Sequence, residues 1–484
     1  MPAHSRYKAY TLANFRDIPQ MHRLSEQARF EIEVVGRVLP FKTNNFVVEQ
    51  LIDWERVPDD PMFILTFPQR DMLVPQHYDE IAALLRSGAD ATAITTAASR
   101  IRLQLNPHPA GQSSHNIPTL EGESLGGMQH KYRETVLFFP SQGQTCHAYC
   151  SFCFRWPQFV GMPELKFASR EAELLVEYLR SHPEVSDLLL TGGDPLVMSS
   201  RNLAQYIEPV LAANLPNLRR IRIGSKALSY WPHRFLGDPD AAQLLGLFAK
   251  VVQSGRQLAL MAHFNHPREL EPEPVRDAIA RIRATGAVIR TQSPLLRHVN
   301  DDPALWQRMW NEQVNLGCVP YYMFLARDTG AQHYFAVPLV RAWEVFREAY
   351  QGVSGLCRTV RGPSMSANPG KVQMLGVSEI AGEKLMVLRF LQGRNPDWVQ
   401  RPFFARFDAN ATWLDELRPA FDESRFFFEK EKAELVAPPP MPDLVAPVGL
   451  NLRALQSPVR RVKPEGDVAA ERLVWRAVGN RNPG

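Results

Sequence analysis

Cysteine is scarce in this chain: five residues in 484, too few for the disulfide framework of a small secreted protein. Long apolar runs are missing as well. No stretch approaches the roughly 20 apolar residues that span a bilayer, and the opening MPAHSRYKAYTLANFRD has no apolar core of the kind a secretory leader needs. A cytoplasmic setting without a membrane partner is the expectation. Charge of one sign is also lacking. Lys and Arg number 55 against 51 Asp and Glu, a net +4, which is not the concentrated basic face of a nucleic-acid binder. Nucleic acid is therefore not an expected partner, and no repeat of solenoid period is present. What remains is an ordinary globular composition, 45% hydrophobic and 22% charged, on a chain long enough for a central domain with additions at its ends.

The middle of the chain alternates short apolar runs with segments of helical periodicity. Strands are expected over 135–139, 187–191, 219–224, 258–263, 288–292 and 318–324. Helices are expected over 170–181 (with Ser169 as N-cap), 202–213, 241–254, 273–285, 304–316 and 340–350. Six strand–helix units in series favour a parallel sheet, because parallel strands need crossover connections. The expected fold is α/β, a partial (β/α)6 TIM-like barrel over 126–376, with function at the carboxy-terminal strand ends. A mainly helical region (1–125) precedes it. An irregular extension (377–484) follows, with the proline linker VAPPPMPDLVAPV and a basic tail.

Three of the five cysteines fall within eight positions, in TCHAYCSFCF, as Cys146, Cys150 and Cys153. Three thiolates on one loop can face one metal centre. A zinc site would need a fourth ligand, from His147 or a distant residue. A cubane iron–sulfur cluster would instead keep one iron open for a substrate or cofactor, and Tyr149, Phe152 and Phe154 would shield it from water. The spacing C-x₃-C-x₂-C, directly after the first expected strand of the sheet, favours the cluster.

This spacing is the hallmark of radical S-adenosylmethionine enzymes, and the wider sequence resembles their lysine 2,3-aminomutase family. LLLTGGDPL (188–196), IRIGS (221–225), HFNHP (263–267), TQSPLLRHVND (291–301), PYY (320–322) and SGLC (354–357) fall in that family's order and spacing, over roughly residues 40 to 376. The resemblance implies a [4Fe–4S] cluster, S-adenosylmethionine and a 5′-deoxyadenosyl radical. It places Gly192, Gly193 and Asp194 at the methionine end of that cofactor and Ser225, His263 and Gln292 near its nucleoside. Glycines let backbone approach a ligand, and Asp194 can accept from an ammonium group.

The family's aminomutases also carry pyridoxal phosphate on a lysine, which matches Lys371 in SMSANPGK. The resemblance makes Lys371 both cofactor-binding and catalytic. It puts the phosphate near His130, Lys131 and Arg133, although Thr135 stands where the family has arginine. Two aspartates that hold a distal ammonium in lysine-specific members align with Arg327, beside Asp328, and near Ser364. Arg327 would suit an acidic or neutral side chain better than lysine's ammonium. Asp302 replaces a zinc-binding cysteine of some members, so no zinc site is expected, and Cys318 and Cys357 read as buried apolar residues.

The leading expectation is therefore a 2,3-aminomutase acting on a small-molecule amino acid, with a flavodoxin- or ferredoxin-type electron donor and the homo-oligomeric state left open. A radical enzyme without pyridoxal phosphate, rearranging another small molecule or modifying a protein lysine, is the first alternative. A non-catalytic iron–sulfur or zinc protein is the second.

Overall fold

The structure is a computed structural model that describes residues 6–112, 115–162 and 165–436. The proline linker after Val436 and the basic tail lie outside those residues. Among the described residues no helix is long and apolar enough to cross a membrane.

One 11-stranded sheet runs through most of the chain. Its strands are β1 (Met128–Tyr132), β2 (Thr135–Phe138), β3 (Asp187–Leu190), β4 (Arg220–Ser225), β5 (Gln257–His263), β6 (Val288–Leu295), β7 (Val319–Leu325), β8 (Arg361–Ser366), β9 (Gly370–Ile380), β10 (Glu383–Gly393) and β11 (Pro402–Arg406). Neighbours in sequence are neighbours in space. Strands β2 to β8 pair parallel, and helices connect them. The antiparallel strands lie at either end. The fold is thus mixed α/β.

The apolar periodicity of each helix explains its place. In Ala172–Ser181, Ala172, Leu175, Tyr178 and Leu179 form the buried stripe, as a 3.6-residue repeat requires. Ser169 is not its N-cap. The Ser169 N–H donates to the Phe139 carbonyl and its own carbonyl accepts from Ser141. That holds Ser169 in an extended bridge beside Pro140, two residues short of the cap at Glu171.

Two regions depart from the expected organisation. Strand β8 has the sequence RGPSMS, with no apolar run to announce it, yet it continues the parallel series. A Cβ on its Gly362 would stand 2.6 Å from the Met323 carbonyl oxygen, so only glycine lets β8 approach β7 this closely. The expected boundary at 376 falls inside β9. The segment read as irregular after it contains a long hairpin, β9–β10, turning at Ala381 and Gly382, both at positive φ (54° and 80°). Phe390, Trp398, Phe403, Phe426 and Phe428 pack beneath that hairpin.

Three amino-terminal helices, Glu26–Val38, Pro61–Thr66 and Ala91–Gln104, begin on side-chain caps, with Ser25, Asp60 and Asp90 accepting from first-turn N–H groups. At the other end of the parallel strands, one cavity of about 560 Å³ is lined from Thr135 at the start of β2 round to Arg361 at the start of β8.

Candidate active site

The cysteine loop leaves the carboxy-terminal end of β2 and is gripped from both sides. From the amino-terminal region, Lys42 Nζ donates to the Cys146 carbonyl at 2.7 Å. Asn44 Nδ2 and Tyr7 Oη donate to the His147 carbonyl at 3.2 and 2.7 Å. The Ser151 hydroxyl donates to the Ile64 carbonyl at 2.6 Å. Nothing in the local pattern announces that Tyr7, Lys42, Asn44 and Ile64 build this wall, because single residues far upstream carry no periodicity.

From the other side comes the GGD turn after β3. A Cβ on Gly193 would stand 2.5 Å from the Thr145 backbone, and one on Gly192 2.2 Å from Gln144 Nε2. The glycines therefore admit the cysteine loop itself, immediately before Cys146. The Asp194 N–H donates to the Gly143 and Thr145 carbonyls, and its carboxylate accepts from Leu196 N, Ser225 Oγ and Lys226 N, each at 2.9 Å. Burial raises its pKa to about 6. Ser225 Oγ also accepts from Ala227 N at 2.9 Å. Both side chains thus have partners within the protein.

The three half-buried thiols stand in one electrostatic neighbourhood. Burial pushes Cys150 up to about 12 and Cys153 up to about 11. Cys146 is raised well above the usual thiol range by burial, then by Asp194, Cys153 and Cys150. Among the described residues, no three His, Cys, Asp or Glu side chains converge as a single metal ion requires. A cubane presents its irons at separate corners and accepts thiols that stand further apart. The donor set, three thiols on one loop in an apolar surround, fits such a cluster. The ring of His147 has Tyr7 at its edge (5.9 Å) and the charges of Arg234 and Lys42 nearby.

A network missed from sequence lies behind Cys150. Cys150 Sγ donates to Tyr230 Oη at 3.8 Å, and Lys226 Nζ lies 4.3 Å from the Tyr230 ring. Lys226 in turn reaches Asn265 Oδ1 (2.8 Å) and the fully buried Glu269 (2.5 Å). Asn265 Nδ2 donates to Ser293 Oγ, and Asn300 Nδ2 to the Asn265 carbonyl. Residues of HFNHP and TQSPLLRHVND thus tie adjacent strand ends to each other. His263 stacks on Phe152 (centroids 6.2 Å, 17°), and burial lowers its pKa to about 3. Gln292 occupies the neighbouring position on β6.

Lys371 opens the second half of the site. Its ammonium lies 4.3 Å from the Tyr322 ring, 5.6 Å from Phe324 and 5.7 Å from Tyr132. Its one hydrogen-bond acceptor is Gln392 Oε1 at 2.9 Å. Burial lowers its pKa to about 7, with Arg222 and Arg361 adding to the effect. Lys131 donates to the Ala367 carbonyl. Burial, then the charges of Arg394, Arg327 and Lys371, pull its pKa well down. Arg327 lies 5.0 Å from the Phe154 ring, and its Nε faces Asp328 Oδ1 at 3.7 Å, an ion pair too long for a hydrogen bond.

Arg155 joins this set, sandwiched between Phe139 (4.4 Å) and Phe154 (4.9 Å), with its pKa lowered to about 10 by burial. It went unnoticed as a single basic residue after the cysteine loop, although a cation set between aromatics (FCFRW) was a readable signal. Two expected residues do not join. Arg133 is exposed at the β1–β2 turn, because the hairpin reverses there and points it outward. Ser364 donates its hydroxyl to the Met323 carbonyl at 3.3 Å, so β7 occupies it. The cations that remain, with Lys371 as nucleophilic amine, fit a phosphorylated aldehyde cofactor and a carboxylate-bearing substrate.

No family model matches the chain. It is 30% identical over 402 residues, 83% of its own length and 93% of the other's, to a putative L-lysine 2,3-aminomutase of Aquifex aeolicus. It is 28% identical over 258 residues to the L-lysine 2,3-aminomutase of Acetoanaerobium sticklandii, covering 53% and 59% of the two chains. With that of Escherichia coli it shares 30% identity over 249 residues, 51% and 68% of the chains. Among solved structures, Streptococcus suis SuiB bound to precursor peptide SuiA overlays with a TM-score of 0.32 at 12% identity, over 56% of each chain, too low a score to bear on the fold.

Proposed function

The chain belongs to the lysine 2,3-aminomutase family, radical S-adenosylmethionine enzymes, and from that premise we propose that it moves an amino acid's α-amino group to the β-carbon, with pyridoxal phosphate carried on Lys371. The observation that carries this reading is the Lys371 amine. Half-buried among aromatic rings, with desolvation lowering its pKa to about 7, it sheds its proton more readily than an exposed lysine and so is nucleophilic toward an aldehyde.

When bound, the cluster and S-adenosylmethionine supply a 5′-deoxyadenosyl radical, and pyridoxal phosphate supplies the ring that hosts the migrating nitrogen. Cys146, Cys150 and Cys153 would hold the cluster. Gly192, Gly193 and Asp194 would set the cysteine loop's path, and Ser225 would orient Asp194. His263 and Gln292, at the ends of β5 and β6, would face the nucleoside. Lys131, Arg155 and Arg327 would take the anionic ends of cofactor and substrate, with Phe139 and Phe154 excluding water around Arg155. A flavodoxin- or ferredoxin-type donor and a cytoplasmic setting belong to the same proposal.

A partial barrel is part of it too. Seven parallel strands laid flat would spread over about 29 Å, yet Thr135 on β2 and Arg361 on β8 line the same cavity, which supports a curved sheet.

The charges also bear on the substrate. A distal ammonium would meet Arg327, Lys131 and Arg155 with Asp328 as the sole acid among them, and buried like charges repel strongly. We therefore propose an amino acid with an acidic or neutral side chain. Anaerobically reconstituted protein, given S-adenosylmethionine, pyridoxal phosphate and a reductant, is tested against single amino acids, with mass-spectrometric detection of the β-isomer. An isomer from an acidic or neutral amino acid, with lysine at least about tenfold poorer, is the expected result. Cleavage of S-adenosylmethionine without an isomer from any amino acid would overturn the aminomutase reading.

A further inference from the structure

The cavity at the amino-terminal ends of the parallel strands lies opposite the cysteine loop, and nothing above assigns it a ligand. Four arginines line it, Arg220, Arg222, Arg290 and Arg361, against two acids, Glu134 and Asp187. Arg222 is engaged, its Nε 2.6 Å from Asp187. Arg220 rests on the Ser186 hydroxyl at 3.3 Å, near the surface. Arg290 and Arg361 have no hydrogen-bond acceptor and no carboxylate partner among the described residues; what holds them is Tyr321. Their guanidinium groups lie 5.1 and 4.2 Å from its ring centroid, and Arg361 also lies 4.3 Å from that of Tyr322.

A cation–π contact to a ring spends no hydrogen-bond acceptor, so the N–H groups of these guanidiniums stay available. Two such forks, fixed by one tyrosine in one recess, present paired donors to a shared space. Cations gathered this way repel one another until an anion joins them. The lining has two more arginines than acids, and that surplus matches the charge of a phosphate group, about −1.5 to −2 at neutral pH. Forked guanidinium donors also match its oxygens better than an ammonium does.

We propose that this cavity is a phosphate-binding site in which Arg290 and Arg361 grip the phosphate group from the Tyr321 side and Arg222 completes the positive wall. The phosphate has two candidate sources, a free phosphate or phosphate monoester entering from this end, or the phosphate of pyridoxal phosphate. Lys371 and Arg361 each lie 4.3 Å from the Tyr322 ring, so the cavity adjoins the Lys371 pocket. In the second case Lys131 is left for the substrate's carboxylate. The identification of this second source rests on the Lys371 assignment; the site itself does not.

The test is calorimetric titration of inorganic phosphate into the full chain, free of pyridoxal phosphate. Wild type should give a saturable single-site isotherm. The Arg290→Gln/Arg361→Gln double variant should bind at least about tenfold more weakly, Arg361→Lys should fall between, and Arg220→Gln should match wild type. Repeating the titration after borohydride fixation of the cofactor identifies the source. If pyridoxal phosphate on Lys371 abolishes the isotherm while pyridoxal on Lys371 does not, the cofactor's phosphate fills the site. If the isotherm survives both, a free phosphate fills it. No saturable binding in wild type, or undiminished binding in a double variant whose circular dichroism and melting match wild type, overturns the proposal. The first titration needs no label at Lys371, so its failure and a failure of the Lys371 assignment are read independently.

Discussion

The turn around Asp194 and the pocket around Lys371 handle buried charge in opposite ways. Asp194 is held by three hydrogen bonds to its carboxylate, from Leu196, Ser225 and Lys226. Around Lys371, Arg327 Nε makes no hydrogen bond and meets Asp328 only at 3.7 Å, and the Lys131 ammonium donates to a single carbonyl. A polar group satisfied inside the protein shapes the fold; a cluster of one sign left short of partners awaits a ligand. On that criterion the GGD turn positions the cysteine loop, and the Lys371 pocket is the proposed place for anionic groups.

Breaking the comparison at its reactive groups should give the largest effects. Cys150→Ala should lose S-adenosylmethionine cleavage by at least about 1,000-fold, read by 5′-deoxyadenosine release. Next, removing a satisfied charge and an unsatisfied one should separate stability from function. Asp194→Ala leaves three donors unpaired and should cost about 3 kcal/mol in denaturant unfolding. Lys131→Met relieves repulsion and should unfold no more easily than wild type, while isomer formation falls at least about tenfold. A Lys131→Met protein as destabilised as Asp194→Ala would erase the distinction.

A smaller effect is expected with pH. An unfolded lysine releases its proton near 10.5, and folded Lys371 near 7. Between those values the unfolded chain holds a proton the folded chain has shed, so Lys371 makes stability rise with pH across that window and contributes no slope below it. Lys371→Met should remove this rise in a series of unfolding curves from pH 7 to 10. Smallest of all, Arg133→Ala should change cofactor affinity by less than about twofold, since its side chain is exposed.

The same contrast explains what could be read in the sequence. The six strand–helix units were legible because continuous apolar strands and amphipathic helices imprint short-range periodicity. The cysteines were legible because their spacing is local. Strand β8 was not, since Gly362 and Ser364 serve close approach to β7 and leave no apolar signature. The protein contacts of Gly192, Gly193 and Asp194 were not legible for a related reason: Thr145 and Ser225 come from other strand ends, and a motif names its residues without naming what they touch. Lys42 and Asn44, a hundred residues upstream of the loop they hold, left no trace at all.

The most direct measurement is the attachment of pyridoxal phosphate itself. Anaerobically reconstituted protein is incubated with the cofactor across a pH series, reduced with borohydride and mapped by peptide mass spectrometry. The account predicts one label per chain, at Lys371, half-maximal near pH 7 as its amine loses its proton. Lys371 left unlabelled, with label scattered over exposed lysines while S-adenosylmethionine is still cleaved, would contradict it.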